Sequence, residues 1–336
     1  MASPDIADAV AVLRRGGLVA FPTETVYGLG ADAANPAAVE RIFAVKGRPR
    51  NHPLIVHLGD ATAIKAWAAE VPPDAWTLAE AFWPGPLTLI LPRAAHVPEP
   101  VTGGAGTVGL RVPAQPLALE LRGAFGGGIA APSANRFGRV SPTTAAHVRA
   151  DLGADVDLVL DGGPCAVGVE STIVDLSRGD PRVLRFGGIG VEALAEVLGQ
   201  RLDARVAAGA SGNDRQVEPV PGEAGAPPAP GTLPSHYAPE ATVEVLGADS
   251  VAERARALLA EDRRVGVLAP RRLEGLPAGA EALPPAGGAA AYAQCLYQRL
   301  READRRGLDV LLAVPPPEIG IGAAVADRLR RAASTG

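Results

Sequence analysis

Five short clusters of polar residues hold the side chains of this sequence that could do chemistry. Thr23-Glu24-Thr25-Val26-Tyr27-Gly28 follows the apolar run Leu18–Phe21. Its hydroxyls could hold a small polar substrate at a strand end, where side chains converge in α/β sheets. An ordinary turn, with Thr and Glu satisfying local backbone groups, explains the same residues. Lys46-Gly47-Arg48-Pro49-Arg50 joins a point charge to planar guanidinium forks, a common division of labour around phosphates. Lys46 and Arg48 share a face if this stretch is an extended, exposed loop; a solvated basic loop is the alternative. Ala131-Pro132-Ser133-Ala134-Asn135 puts two short hydrogen-bonding side chains after another apolar run, with Ser141 close behind, and could equally be a turn and helix cap. Gly168-Val169-Glu170-Ser171-Thr172, with Arg185 on the next apolar segment, is either a site wall or the polar edge of a hairpin. Ser235-His236-Tyr237-Ala238-Pro239 closes a low-complexity stretch as a site contribution or a docking anchor.

Other chemistry is poorly represented. No histidine lies near Cys165, and nothing resembles a nucleophilic triad or elbow, so a packed or partly exposed thiol is the reading there. His57 closes the run Leu54–Leu58, where it is a structural residue or a substrate contact.

Hydrophobic spacing supplies the frame for these clusters. Helices are expected over Pro4–Arg15, from the Asn35-Pro36 start to about Val45, from Asp60 through Trp67, and over Pro72–Phe82. Further helices follow over Gln115–Arg122, Thr143–Leu152 and Ile189–Leu202. Strands are expected at Leu18–Phe21, Leu54–Leu58, Leu87–Leu91, Val108–Val112, Ile129–Ala131 and Leu158–Leu160, with a hairpin of Ser171–Leu176 and Val183–Phe186. Residues 207–234 are rich in Gly, Ala, Pro and Ser without periodicity and read as a linker or lid. Thr242–Leu246, Ser250–Glu261, Val265–Ala269, Ala289–Arg306 and Val310–Val314 then alternate strand and helix, which predicts a small parallel α/β domain. It lacks a glycine-rich phosphate fingerprint after its first strand.

A length of 336 residues makes two domains the expectation, and 47% hydrophobic residues supply ample core. A net charge of -5 argues against general polyanion binding, so an anion site must be a local gathering of cations. Lys46 and Lys65 are the only lysines, among many arginines. Two distant cysteines, Cys165 and Cys295, form neither a disulfide framework nor a zinc site and suit a reducing compartment. Acidic residues near the start, and no apolar run approaching about 18 residues, point to a cytoplasmic protein with no membrane partner.

Taken in order, FPTETVYGLG, KGRP…HPLIVH, WPGPLTLIL, VGLRVP, APSAN…SPT, VESTIVD, LRFGGI and SHYAP resemble the Sua5/YrdC family, the L-threonylcarbamoyladenylate synthases. The match is dense from Ala7 to about Leu198, and the later segments resemble the long, two-domain Sua5 form. The resemblance implies an α/β fold: a YrdC-like open twisted mixed sheet with helices around a concave cavity, then a small Rossmann-like parallel α/β domain. It divides the chain into a catalytic domain at 1–205, a linker or lid at 206–240 and a C-terminal domain at 241–336. It implies a nucleotidyltransferase that makes threonylcarbamoyl-AMP and pyrophosphate from L-threonine, bicarbonate and ATP. That product would feed a tRNA threonylcarbamoyl transferase complex modifying adenosine 37 of tRNAs that read codons beginning with A.

Carried over residue by residue, the family's signature falls on Lys46, Arg48, Ser133 and Asn135 as catalytic residues. Threonine contacts fall on Thr25, His57, Arg111, Ala131 and Ser171, and nucleotide contacts on Arg48, His52, Thr107, Ser133, Ser141, Arg185 and Tyr237. Lys46, Arg48 and Arg185 with Mg²⁺ would neutralise the triphosphate. No protein carboxylates stand out as ligands for that Mg²⁺, which would rest on phosphate oxygens and water. The competing expectation is a double-stranded RNA-binding or ribosome-associated module without turnover, or an enzyme with weak RNA contact.

Overall fold

The computed structural model describes residues 4–199, 202 and 237–334. Its first part begins α1 (Pro4–Arg14), β1 (Val19–Phe21), β2 (Gly28–Asp32), α2 (Pro36–Lys46), β3 (Ile55–His57), α3 (Pro73–Phe82), β4 (Leu87–Pro92) and α4 (Glu99–Thr102). It continues with β5 (Thr107–Arg111), α5 (Pro116–Phe125), β6 (Ile129–Ala130), α6 (Ala145–Leu152), β7 (Leu158–Val159), β8 (Thr172–Asp175), β9 (Arg182–Arg185) and α7 (Val191–Leu198). The second part holds β10 (Thr242–Val245), α8 (Ala248–Ala260), β11 (Val265–Leu268), β12 (Glu281–Ala282), α9 (Ala289–Arg305), β13 (Val310–Ala313) and α10 (Ile321–Ala333).

The expected mixed sheet is present, with strand order β7-β1-β2-β6-β3-β5-β4-β8-β9. So is the parallel sheet, in the order β10-β13-β11-β12. Alternation along β1 shows how the large sheet is buried. Leu18 and Ala20 join a core under α2, α3, α6 and α7, while Val19 and Phe21 pack with Ile129 and Ala131 beneath α1 and α5. The second face continues past Ile129 to its register partner His57, and from His57 to Arg111 on β5. A polar pair therefore occupies the same sheet face as an apolar core.

In the small sheet, Val243, Leu311 and Ala313 face α9 and α10, while Val310, Leu312, Val265 and Val267 pack under α8. The cluster under α9 and α10 also takes in Val26, Val140 and Val169 of the first part. The core of the small sheet thus extends onto loops of the first part that border the large sheet.

Several elements differ from the sequence expectation. β2 reads Gly-Leu-Gly-Ala-Asp, without the β-branched residues that mark a strand, because the contacts demand small residues. A Cβ on Gly30 would lie 2.7 Å from Phe21 Cε1 and 2.8 Å from Ile129 Cγ2. The short α4 and β12, and the whole of α10, were not anticipated. The helix expected after Asp60 is a 3-10 turn over Ala61–Ala66. Ser235, His236 and nearly all of the expected linker lie outside the described residues. Among the described residues no helix is long and apolar enough to cross a membrane.

Candidate active site

Asn35 caps α2 by accepting from the Ala37 and Ala38 amides, with Pro36 at the first helical position. The helix runs one turn position further than its apolar spacing suggested and includes Lys46. Gly47, at φ 63°, closes it in the left-handed conformation. The expected extended, exposed cationic loop is thereby corrected: Lys46 and Arg48 are buried, and only Arg50 projects outward, paired with Glu40 at 2.9 Å. Burial separates the two signature cations in role. Lys46 Nζ donates to the carbonyls of Ser133 (2.6 Å) and Asn135 (2.5 Å), and burial followed by the nearby Arg48 charge holds its pKa well below the usual lysine value. It braces the 133–135 turn from behind.

Arg48 instead reaches a cavity on the polar face of the large sheet. Thr25, Arg48, His57, Arg111, Ala131, Ser133, Ser171, Arg185 and Tyr237 all line it. Lys46, His52, Thr107, Asn135 and Ser141 do not. Thr107 stands on the Arg111 face of β5 but at the opposite end of that strand. His52 packs edge-on against Phe137, with ring centroids 5.5 Å apart. Asn135 Nδ2 donates to the Arg136 and Arg139 carbonyls, while its Oδ1 has no partner among the described residues.

The cavity has two chemically distinct ends. At one, Arg111 Nη2 donates to Glu24 Oε1 (2.6 Å) and Thr25 Oγ1 (3.0 Å), and Nε to Gly85 O (3.3 Å). Its Nη1 edge is unengaged among the described residues. Glu24 Oε2 is filled by the Ala114 amide, so this carboxylate orients the guanidinium without remaining available itself. His57 stands beside Arg111 in register, edge-on to Phe21. Burial, and then the Arg111 charge, push its imidazole down to about 3, so it is neutral near pH 7, and its buried Nδ1 has no partner among the described residues. A guanidinium edge, a hydroxyl and a neutral imidazole together offer hydrogen-bond donors and acceptors to a small polar molecule.

At the other end lie Arg48 and Arg185. Arg48 Nη2 donates to Pro53 O (3.0 Å), and its guanidinium lies 5.7 Å from the Phe137 ring centre. Burial pushes its pKa down to about 10, with the charge of Arg185 acting in the same direction. Both remain cationic near neutrality, and a buried cation of this kind is stabilised by an incoming anion. Arg185 donates to Ser171 O and Oγ, and the same Oγ lies 2.7 Å from Thr88 Oγ1.

Tyr297 and Arg328 lie outside the five polar clusters, and Glu170, within the fourth, was given no site role of its own. Glu170 Oε1 accepts from Ser141 Oγ (2.7 Å), and Oε2 from Arg328 Nε (2.8 Å). The Tyr297 hydroxyl lies 2.9 and 2.8 Å from the two oxygens. Burial alone would raise this carboxyl, but the Arg328 and Arg185 charges and the Arg328 and Ser141 hydrogen bonds outweigh it and hold it at about 2. Tyr237 packs among these groups at φ 66°, a left-handed backbone that costs a non-glycine residue about 1–2 kcal/mol. Spacing of Ile321, Val325, Leu329 and Ala332 carried a helical signal for α10. Nothing local separates Arg328 from its surface neighbours. Cys165 is a packed thiol, pushed up to about 12 by burial.

A family model described as "Telomere recombination", covering Sua5, YciO and YrdC, matches residues 11–187. A second, described as "Threonylcarbamoyl-AMP synthase, C-terminal domain", matches residues 189–334. The threonylcarbamoyl-AMP synthase of Pyrococcus abyssi is 41% identical over 330 residues, 96% of this chain and 92% of that protein. That of Bacillus subtilis is 41% identical over 338 residues, 98% of this chain and 93% of that protein. The crystal structure of P. abyssi Sua5 complexed with L-threonine superposes with a TM-score of 0.86 at 40% identity, covering 98% of this chain and 94% of that one. With both family models and near-complete relatives in agreement, the chain belongs to the Sua5/YrdC family of threonylcarbamoyl-AMP synthases.

Proposed function

We propose that the Arg111 end of the cavity binds L-threonine and the Arg48–Arg185 end binds the phosphates of ATP, so that the chain acts as a nucleotidyltransferase. The observation that carries this reading is one cavity joining a neutral imidazole and an open guanidinium edge to two further buried guanidiniums. Arg111 pairs with the threonine carboxylate, and Thr25 and His57 orient its amine and hydroxyl. The amine adds to carbon dioxide drawn from bicarbonate, giving a carbamate that breaks down readily in water, so a buried cavity prolongs its life. A carbamate oxygen then attacks the α-phosphorus. The new O–P bond forms as the α–β bridging bond breaks, and pyrophosphate leaves with that electron pair. Such a transfer needs alignment and charge neutralisation rather than a protein nucleophile.

Arg48 and Arg185 supply cationic charge at the phosphates, while Ser133 and Tyr237 border them. Lys46 serves by holding the Ser133 turn in place. Mg²⁺ would enter with ATP: the carboxylates nearest the cavity, Glu24 and Glu170, already have both oxygens occupied by protein donors. Among the described residues no three His, Cys, Asp or Glu side chains converge as metal ligands. When bound, that ion supplies further neutralisation of phosphate charge. In this reading the product passes to a tRNA threonylcarbamoyl transferase in the cytoplasm. The test is pyrophosphate release from ATP, which should require both L-threonine and bicarbonate; release independent of threonine would reject the reading.

A further inference from the structure

Glu170 poses an electrostatic problem for a cavity that receives a triphosphate. It lines the cavity beside Ser171 and Arg185, and an uncompensated carboxylate there would repel phosphate oxygens. Beyond Arg185 and Ser141, the compensation comes from the distant second part of the chain. Arg328, on α10, is fully buried and donates to Glu170 Oε2 at 2.8 Å and to Phe186 O at 2.9 Å. Tyr297, on α9, reaches both carboxylate oxygens.

The same two residues hold Tyr237. Its ring stacks on Tyr297 with centroids 5.7 Å apart at 26°, and the Arg328 guanidinium lies 5.0 Å from its centre. Glu170 in turn fixes the Ser141 hydroxyl. Two residues expected at the nucleotide, Ser141 and Tyr237, are thus positioned by side chains from α9 and α10.

We propose that Arg328 and Tyr297 are positioning residues of the ATP subsite: they neutralise Glu170 so that the cavity accepts a polyanion, and they set the Tyr237 ring and, through Glu170, the Ser141 hydroxyl. The proposal rests on the ATP–threonine reading above. It gives the C-terminal part of the chain a function within the active site, at contacts spanning 127 and 158 residues of sequence.

A double-mutant test separates charge compensation from simple tethering of the two parts. In the full-length protein, Arg328→Met takes from Glu170 its hydrogen-bonded cation, leaving only the Arg185 charge nearby, while Asp327, the other carboxylate that Arg328 meets, keeps Arg331. ATP affinity should fall roughly tenfold or more, with threonine affinity nearly unchanged. Glu170→Gln combined with Arg328→Met removes the orphaned charge and should recover most of that loss. A tether would show no such recovery. Tyr297→Phe keeps the stack on Tyr237 and deletes one hydroxyl; it should raise the KM for ATP about threefold while the threonine KM holds, and it decides the matter if Arg328→Met does not fold. ATP affinity unchanged in folded Arg328→Met, a loss that Glu170→Gln does not relieve, or an unchanged ATP KM in Tyr297→Phe would each overturn the proposal. Pyrophosphate release by the unaltered protein is measured alongside. Its failure would overturn the synthase reading and this inference together, whereas turnover with an unaffected variant overturns this inference alone.

Discussion

Arg48→Ala removes a cation from the cavity and also the donor that Pro53 O accepts. Pyrophosphate release should slow by at least about a hundredfold, as when one preorganised charge is deleted from a transfer site. Because the side chain is buried, the fold should lose about 1–3 kcal/mol as well, measured by urea denaturation. A position in an exposed loop, the reading of the sequence, would have made the change nearly neutral for stability. His57 offers a titration test. Its folded pKa of about 3 lies below the ordinary value of 6.5, so between those limits the unfolded chain binds the extra proton. Stability is fully present above pH 6.5 and falls on acidification, by about 2 kcal/mol from pH 7 to pH 5 for this one group. Urea midpoints at the two pH values should show the drop, and His57→Gln should reduce it. The residue types of both side chains were legible in the sequence. Their burial was not, since burial depends on what the rest of the chain packs over them.

At the scale of elements, β2 is the strand that joins the first and third clusters. The Leu29 amide donates to Pro132 O and the Ala134 amide to Tyr27 O, which ties the Ser133 turn to the Thr23–Gly28 segment. Gly30 permits this by letting Phe21 and Ile129 close over the strand. Gly30→Val should cost about 1–3 kcal/mol through overpacking and lower the melting temperature, with circular dichroism as the check. An unchanged melting temperature would mean that Phe21 can move aside. Periodicity marked the strongly apolar strands and the capped helices, whose signals are local. It passed over β2 because a strand buried on both faces against bulky neighbours is written in glycine and alanine.

For the molecule as a whole, a net charge of -5 coexists with a cavity lined by Arg48, Arg111 and Arg185. Long-range attraction for a polyanion is therefore weak, and cationic charge is concentrated where phosphates would sit. Duplex RNA should bind weakly, without the steep decline in affinity with salt that many phosphate contacts produce. A filter-binding series across salt concentrations measures this. Tight binding with a steep slope, together with no turnover, would favour the RNA-binding alternative. Loops of the first part pack into the core under α9 and α10 and meet Arg328 at Glu170, so the second part of the chain cannot be removed without exposing the wall of the cavity.

The sequence by itself determined the two-sheet α/β frame, the family and the residue types needed for the chemistry, because apolar spacing, caps and ordered motifs are properties of neighbouring residues. Only the tertiary structure decided which of those residues face the cavity. It placed Lys46 behind a turn and Arg48 on the cavity wall, gave Arg111 a carboxylate partner, and brought Arg328 across 158 residues to Glu170. The physical reason is common to all three. A buried charge is held by the partners the fold brings to it, and those partners lie far away in the chain.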